Sequence, residues 1–469
     1  MIRALFINEW LGLLRDGRAL LLLALGALLA VVSAWTAGST DARERAGQAA
    51  AAERARAAWV EREADNPHSR AHYGDYVFRP SGPLAGLDSG LQMVTGRAVF
   101  TEAHRQNAAV HRPQGEAATL LRFDRLEPSN VLQLLVPLVL VLAGFGSVAS
   151  DRESGRLRLL AIQGVRPLPL LLAKALTLWS LGAVLCFLVV GTHLASAGAV
   201  APLRTLAYLG LHLATLWIVA LVVTCASAWL RRPGTAAAVL LLLWGGAAIV
   251  LPRLAAMTAN ALDPLPGRDA FEAAMREDRE QGLDGHNPRD ERRLALEQQV
   301  LDEYGVGSKD ELPINLDGLM MQADEDYGNS VWDKHFGSLE EHLLRQSAVT
   351  GAFTLANPLH ATDRLSMAIA GTGLSGHLAF LRQTESYRRA LVKSLNDEHA
   401  HGGSRTGEWS WKADADFYAA FDSFQYEPPA LGALLGRCSL ELVGLAGWFV
   451  GLTGLLVASA RRLERGGSL

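Results

Sequence analysis

The sequence predicts a mainly α-helical membrane protein with six spans and a large, mostly helical polar region outside the bilayer. Three observations lead there. Apolar runs of about twenty residues recur at 19–37, 130–149, 171–193, 207–229, 235–251 and 439–460, and a run of about that length crosses a bilayer core at about 1.5 Å per residue. Arginines near the span ends fall on alternate short loops. Two long polar regions, 38–129 and 252–434, carry helical periodicity and little of the alternation expected of strands. The mean hydropathy of +0.15 hides this pattern, because the apolar half of the chain is clustered and the charges fill the gaps.

In residues 1–18, Ile2, Leu5, Phe6, Trp10, Leu13 and Leu14 recur at helical spacing among Arg3, Glu9, Arg15 and Asp16. This is the pattern of an amphipathic helix lying at the membrane surface, with Glu9, Trp10 and Arg15 as its notable residues. A basic start, an apolar run and small residues near Ser33-Ala34 imitate a cleaved leader. The structured stretch before the run favours a retained span. The first polar region opens with an Ala/Arg/Glu-rich helix over 41–63, continues through a Pro- and Gly-punctuated stretch at 73–91, and offers a weak strand at 93–100. A charged loop fills 150–170. Helices are expected in the second region at 270–280, 290–304, 317–346 and 375–397, and a basic tail closes the chain at 461–469. The two regions leave the membrane from neighbouring spans, so they are expected to join as one composite α domain with a minor β part.

Orientation follows from the basic residues of the short segments. Arg3, Arg15, Arg18, Arg152, Arg156, Arg158, Arg166, Arg231, Arg232, Arg461, Arg462 and Arg465 share one side, against Arg204 on the other. The expected topology has both termini in the cytosol and both polar regions outside. The acidity of 252–434 does not disturb this, because long regions translocate largely regardless of charge. Abundant Ala, Arg and Gly with few Lys fits a GC-rich bacterial genome, and hence an inner membrane with both regions in the periplasm. Cys186, Cys225 and Cys438 lie in or beside spans, leaving no disulfide framework in the polar regions.

Between the second and third spans stands Asp151-Arg152-Glu153-Ser154-Gly155-Arg156-Leu157-Arg158-Leu159-Leu160, followed by Gly164-Val165-Arg166-Pro167 and Lys174. Asp151 and Glu153 suit a helix N-terminus, and Gly155 suits a tight turn or a close approach. The segment resembles the cytosolic loop by which permeases of type 2 ABC transporters dock on their ATPase. That family usually has Thr where this chain has Arg156. A second stretch resembles the branch with two large periplasmic insertions, itself largely of unknown function. It comprises Asn357-Pro358-Leu359, Ala370-Gly371-Thr372-Gly373, residues 377–380 and Glu385-Ser386-Tyr387-Arg388. The resemblance implies a complex of two permeases, the second a copy or a paralogue, with a separate ABC ATPase dimer. Asp151, Arg152, Glu153, Gly155, Arg156, Leu157 and Arg166 then become the coupling residues, the N-terminal helix becomes an elbow, and Lys174 an anchor or part of the docking element.

Other chemistries find little support. Gly402-Gly403-Ser404-Arg405-Thr406-Gly407 lacks the lysine of a phosphate-binding loop. ATP and Mg²⁺ are therefore assigned to the partner, and no cofactor or catalytic residue is assigned to this chain. No serine elbow, zinc-protease motif or nicotinamide fingerprint appears, and nothing points to nucleic acid. Imidazoles with carboxylates suit zinc, copper or nickel, but His68 with His72, and His399 with His401, are read as solvated loop residues, so no metal is assigned. Arg437 and Glu441 are expected to pair at i,i+4. His212 and Glu441 are candidates to line a conduit. Three functions follow: ATP-driven export, the same motion transmitted to a periplasmic partner with nothing crossing, or a membrane-anchored periplasmic enzyme or binding protein.

Overall fold

The computed structural model describes residues 1–110, 126–198 and 201–465. Residues 111–125 of the first polar region and 466–469 of the tail lie outside them. The chain is mainly α-helical, with six helices long and apolar enough to cross a membrane. Helix α1 (Ile2–Arg15) ends at Asp16, whose extended backbone turns the chain and whose carboxylate accepts the Arg18 N–H to start α2 (Gly17–Val60). Helix α2 is one uninterrupted helix of 44 residues, so the first span and the Ala/Arg/Glu-rich segment are a single element. At about 1.5 Å per residue it measures about 66 Å, twice the bilayer core.

After α2 come α3 (Pro67–Tyr73), β1 (Asp75–Phe78), α4 (Gln92–Thr95) and β2 (Ala98–Thr101), the strands pairing antiparallel with Tyr76 opposite Phe100. The expected strand at 93–100 is thus half helix, and β1 arises from the stretch read as punctuated loop. The remaining spans are α5 (Pro128–Glu153), α7 (Pro167–Ala197), α8 (Pro202–Trp229), α9 (Pro233–Leu262) and α17 (Ser439–Arg465), with α6 (Arg156–Ile162) between α5 and α7. Helices α5, α7 and α8 are the most enclosed, and α9 lies at the rim. Proline opens α3, α5, α7, α8 and α9, where its missing N–H costs no intrahelical bond.

The second polar region holds α10 (Arg268–Gln281), α11 (Arg289–Tyr304), α12 (Leu316–Ala352), α13 (Pro358–Ala370), α14 (Leu374–His401), α15 (Ala415–Ala419) and α16 (Leu431–Arg437). The four expected helices are all present, each somewhat longer than its apolar pattern. Helix α13 has no counterpart among the expected helices. It packs against α8 and α17, with Thr215 and Thr362 hydroxyls 2.6 Å apart. Its start and end explain the Asn357 and Gly371 motifs. Asn357 caps α13 through the Leu359 and His360 N–H groups and donates to the Ala247 carbonyl (2.7 Å) in the π-turn Gly246–Val250 of α9. Gly371, at φ +77°, closes α13 in the left-handed conformation. Arg204, the lone basic residue of its short loop, donates to the Ile369 carbonyl (2.8 Å) and to Pro429 O (3.1 Å).

The two polar regions form one body. Trp59, at the far end of α2, donates to the Tyr418 carbonyl (3.0 Å) and clusters with Ala71, Ala103, Leu391, Leu395 and Ala413. Arg70, fully buried, donates to the carbonyls of Trp59, Arg62 and Glu63 and stacks 4.3 Å over Tyr418. Arg388 of α14 binds Glu325 (3.0 Å), Glu385 (2.8 Å) and Asn329 (2.6 Å), and reaches the Glu102 carbonyl beside β2. A buried guanidinium needs that many acceptors to offset its lost hydration.

Candidate functional site

The predicted coupling residues gather at one end of the bundle. Lys174 sits two turns into an apolar helix and is 2% exposed. A charge so placed needs partners, and it has two: its Nζ lies 3.0 Å from Glu9 of α1 and 2.7 Å from Asp151 at the end of α5. Arg156, at the first turn of α6, completes the set at 3.3 Å from Asp151 and 3.6 Å from Glu9. Two acids and two bases thus join the N-terminal helix, the 151–166 segment and the third span. Lys174 is therefore an internal clamp, not an anchor reaching for solvent. Asp151 stands in the first turn of the short helical segment Ala149–Glu153 that follows a break in α5, and is also buried in this network. Arg156, where the resembling family usually has Thr, makes these contacts from an exposed position.

Neighbouring bonds fix the same end. Trp10 donates to Ser180 Oγ (2.9 Å), seating α1 on α7. Arg152 donates to the carbonyls of Leu230 (3.0 Å) and Ala228 (2.7 Å), closing the end of α8. Ser227 Oγ accepts the Val148 and Ala149 N–H groups at the break in α5, and Trp229 donates to Ser459 (2.8 Å) under Arg462, which stacks 4.3 Å from its ring. Gly155 lies at φ +76° with open space where a side chain would start. Its role is the turn between α5 and α6, and no close approach occurs there. Leu157 is buried in the bundle core, whereas Glu153, Arg158, Leu159, Ile162 and Arg166 face outward. Leu159 and Ile162 are 61% and 75% exposed. The short α6 thus presents two apolar side chains ringed by charges. Arg15 is exposed on α1 and takes no part in the network.

The conduit candidates do not meet at a shared opening. His212 is buried in the bundle, its Nδ1 2.9 Å from the Tyr208 carbonyl and its Nε2 3.4 Å from Gln133. Glu441 is buried as well, and its partner is Arg364 of α13 (2.6 Å) rather than Arg437. The expected i,i+4 pair fails because Cys438 separates α16 from α17, so the two residues do not share a helix. Arg364 itself could not be assigned to Glu441 from spacing alone, as they are 77 positions apart.

All four expected loop histidines lie on helices, with His72 and His401 exposed, His68 half-buried and His399 buried. His399 is fully buried in α14, its two ring nitrogens facing the amides of Asn66 (3.4 Å) and Asn315 (3.3 Å). His68 and His72 lie one turn apart on α3 and meet His104, which the sequence did not single out. The i,i+4 spacing was visible, but only the fold brings in the third imidazole.

Comparison with known proteins agrees with this geometry. The sequence model described as ABC-2 family transporter protein matches residues 3–302, and a domain of unknown function (DUF3526) matches residues 268–427, within the second polar region. No curated protein matches the chain. With more than half of its length matched by the first of these, from α1 through all but the last span, the chain belongs to the ABC-2 transporter family and is a membrane permease component of an ABC transporter.

Proposed function

We propose that this permease is driven by a separate ABC ATPase dimer that docks on the outward face of α6 and binds the ATP and Mg²⁺ itself. The observation that carries this reading is the Glu9–Lys174–Asp151–Arg156 network beneath that face. A force on Leu159 or Ile162 reaches α1, α5 and α7 together, because buried ion pairs couple the three elements. The arginine-rich end of the bundle is then cytosolic, both termini lie inside the inner membrane of a bacterium, and the composite domain stands in the periplasm. The active assembly contains two permeases, the second a copy of this chain or a paralogue, and moves a substrate outward between them.

One feature favours a second reading, in which the motion drives a periplasmic partner and nothing crosses. Helix α2 passes without a break from the α1 elbow to Trp59 in the outer domain. A continuous helix transmits displacement, whereas a substrate path alone requires no such rod.

The test is co-expression with a candidate ATPase and measurement of ATP turnover by the purified assembly. Leu159→Glu with Ile162→Glu is expected to abolish co-purification and turnover. Exposed substitutions of this kind shift stability by only about 0.5 kcal/mol, so an unchanged melting temperature accompanies the loss. Wild-type binding by the double variant would sink the docking assignment. Flux into inverted vesicles, against ATP-dependent capture of a periplasmic partner, separates the two readings.

A further inference from the structure

We propose that His68, His72 and His104 form a binding site for a divalent transition-metal ion of the zinc, copper or nickel class, on the wall of the domain built by the two polar regions. Each residue offers one ring nitrogen, and the three lie within 4.8 Å of one another. His68 and His72 share a face of α3 at i,i+4, with their Nε2 atoms 3.1 Å apart. A tetrahedral ion with metal–nitrogen bonds of about 2.0–2.1 Å holds its ligand atoms about 3.3 Å apart. The first pair is therefore already at ligand spacing, and the third ring needs only a small inward shift.

His104 is built into place. It is the one non-glycine residue with positive φ (+61°) among the described residues. That conformation is uncommon for a side-chain-bearing residue and marks a position held by its surroundings. The holding groups are visible: the His104 N–H donates to Glu325, and its carbonyl accepts from Arg279 (2.8 Å). The Glu325 carboxylate also lies 2.7 Å from His104 Nδ1. A carboxylate this close favours the tautomer with its proton on Nδ1, which leaves Nε2 with a free lone pair, and outer carboxylates so placed orient and strengthen histidine ligands. Glu325 is balanced on its other oxygen by Arg388 (3.0 Å).

Access and selectivity follow from the surroundings. His104 lines an open cleft of about 1130 Å³, shared with Glu102, Phe271, Arg279 and Trp332. His72 is exposed, so an ion can enter and keep a fourth position for water or another ligand. Three imidazoles with an outer carboxylate suit Zn²⁺, Cu²⁺ or Ni²⁺ rather than Ca²⁺ or Mg²⁺, which prefer oxygen. All three ligands belong to the first polar region, whereas Glu325 belongs to α12 of the second. A bound ion is therefore held by the first region alone and meets the second only through the His104–Glu325 contact.

The experiment uses full-length, untagged protein in detergent, stripped with EDTA, loaded with Zn²⁺ and separately with Co²⁺, and desalted. Expected are one equivalent of Zn²⁺ per chain, a tetrahedral Co²⁺ absorption band, and a Zn²⁺-dependent rise in melting temperature. His72→Ala, an exposed change that leaves the metal-free melting temperature intact, and His104→Ala should each weaken binding at least 100-fold. Glu325→Gln should weaken it by about 10–100-fold, and His401→Ala should leave it unchanged. Less than stoichiometric metal on the wild type, or wild-type metal content in His72→Ala, overturns the site.

Discussion

Lys174 shows how much a single side chain can govern here. It is enclosed between two carboxylates at the edge of the bundle, and removing one member of a buried ion set leaves uncompensated charge at a cost of about 3–5 kcal/mol. Lys174→Met should therefore lower the melting temperature sharply, and Lys174→Met with Asp151→Asn should recover much of the loss. Additive losses in thermal unfolding of the two single variants and the pair would show that the residues are not coupled. Asp88 works in the opposite sense. Burial pushes its carboxyl up to about 8, with the Asp363 and Glu127 carboxylates nearby adding to the rise, and the Ser366 hydroxyl and Gly90 N–H pulling back. A group with a raised folded pKa binds its proton more tightly in the native state. Its contribution is full below the ordinary aspartate value, about 3.9, and is lost as the pH rises through about 8. Melting curves from pH 6 to 9 should fall with pH in the wild type and flatten in Asp88→Asn; equal slopes would remove Asp88 as the cause.

At the scale of elements, the spans and the longer helices were legible because lipid and helical periodicity leave strong marks on the sequence. The places where legibility failed share a cause. The hydropathy of α2 drops after Ala37, which reads as a boundary, yet the backbone continues because Ala, Arg and Glu are good helix formers. The strand β1 is four residues long, and its pairing is set by β2 and by packing on Phe380, neither of which is local. The four charges of the Glu9–Lys174–Asp151–Arg156 network are each conspicuous in the sequence, Lys174 most of all for lying in an apolar run. Their pairing depends on α1 folding back along α7, and that appears only in three dimensions. The continuity of α2 is itself testable. Ala49 and Ala50 are exposed on it, beyond the apolar stretch, and replacing both with Gly costs about 1 kcal/mol each in helix stability. If α2 transmits motion, the double variant should keep ATP turnover yet lose the ATP-dependent change in a spin-label distance across the outer domain. An unchanged distance response would show that the rod is not the route.

For the whole molecule, α2 joins two ends, with the Glu9–Lys174–Asp151–Arg156 network at one and a domain assembled from two separate stretches at the other. Neither stretch has a complete core. Trp59, Ala71 and Ala103 come from the first, and Leu391, Leu395, Ala413 and Tyr418 from the second, yet they form one apolar cluster. Val77, Val99 and Ala109 likewise close over Phe380. Separating the halves exposes these faces and strands Arg388 without the Glu102 carbonyl, and Arg70 without Tyr418. Burying a large apolar side chain is worth about 1.5–3 kcal/mol, so losing Trp59, Val77 and Val99 from the interface removes a sum comparable to the whole stability of a typical domain, about 5–15 kcal/mol. A fragment of residues 252–434 alone should therefore show helical signal without cooperative unfolding, and be cut by protease at sites protected in the intact chain. Co-expression with residues 38–129 should restore protection. A fragment that melts cooperatively by itself would mean that the second stretch is an autonomous domain, and that force arriving through α2 acts on a body merely resting against Trp59 rather than on one that Trp59 helps to build.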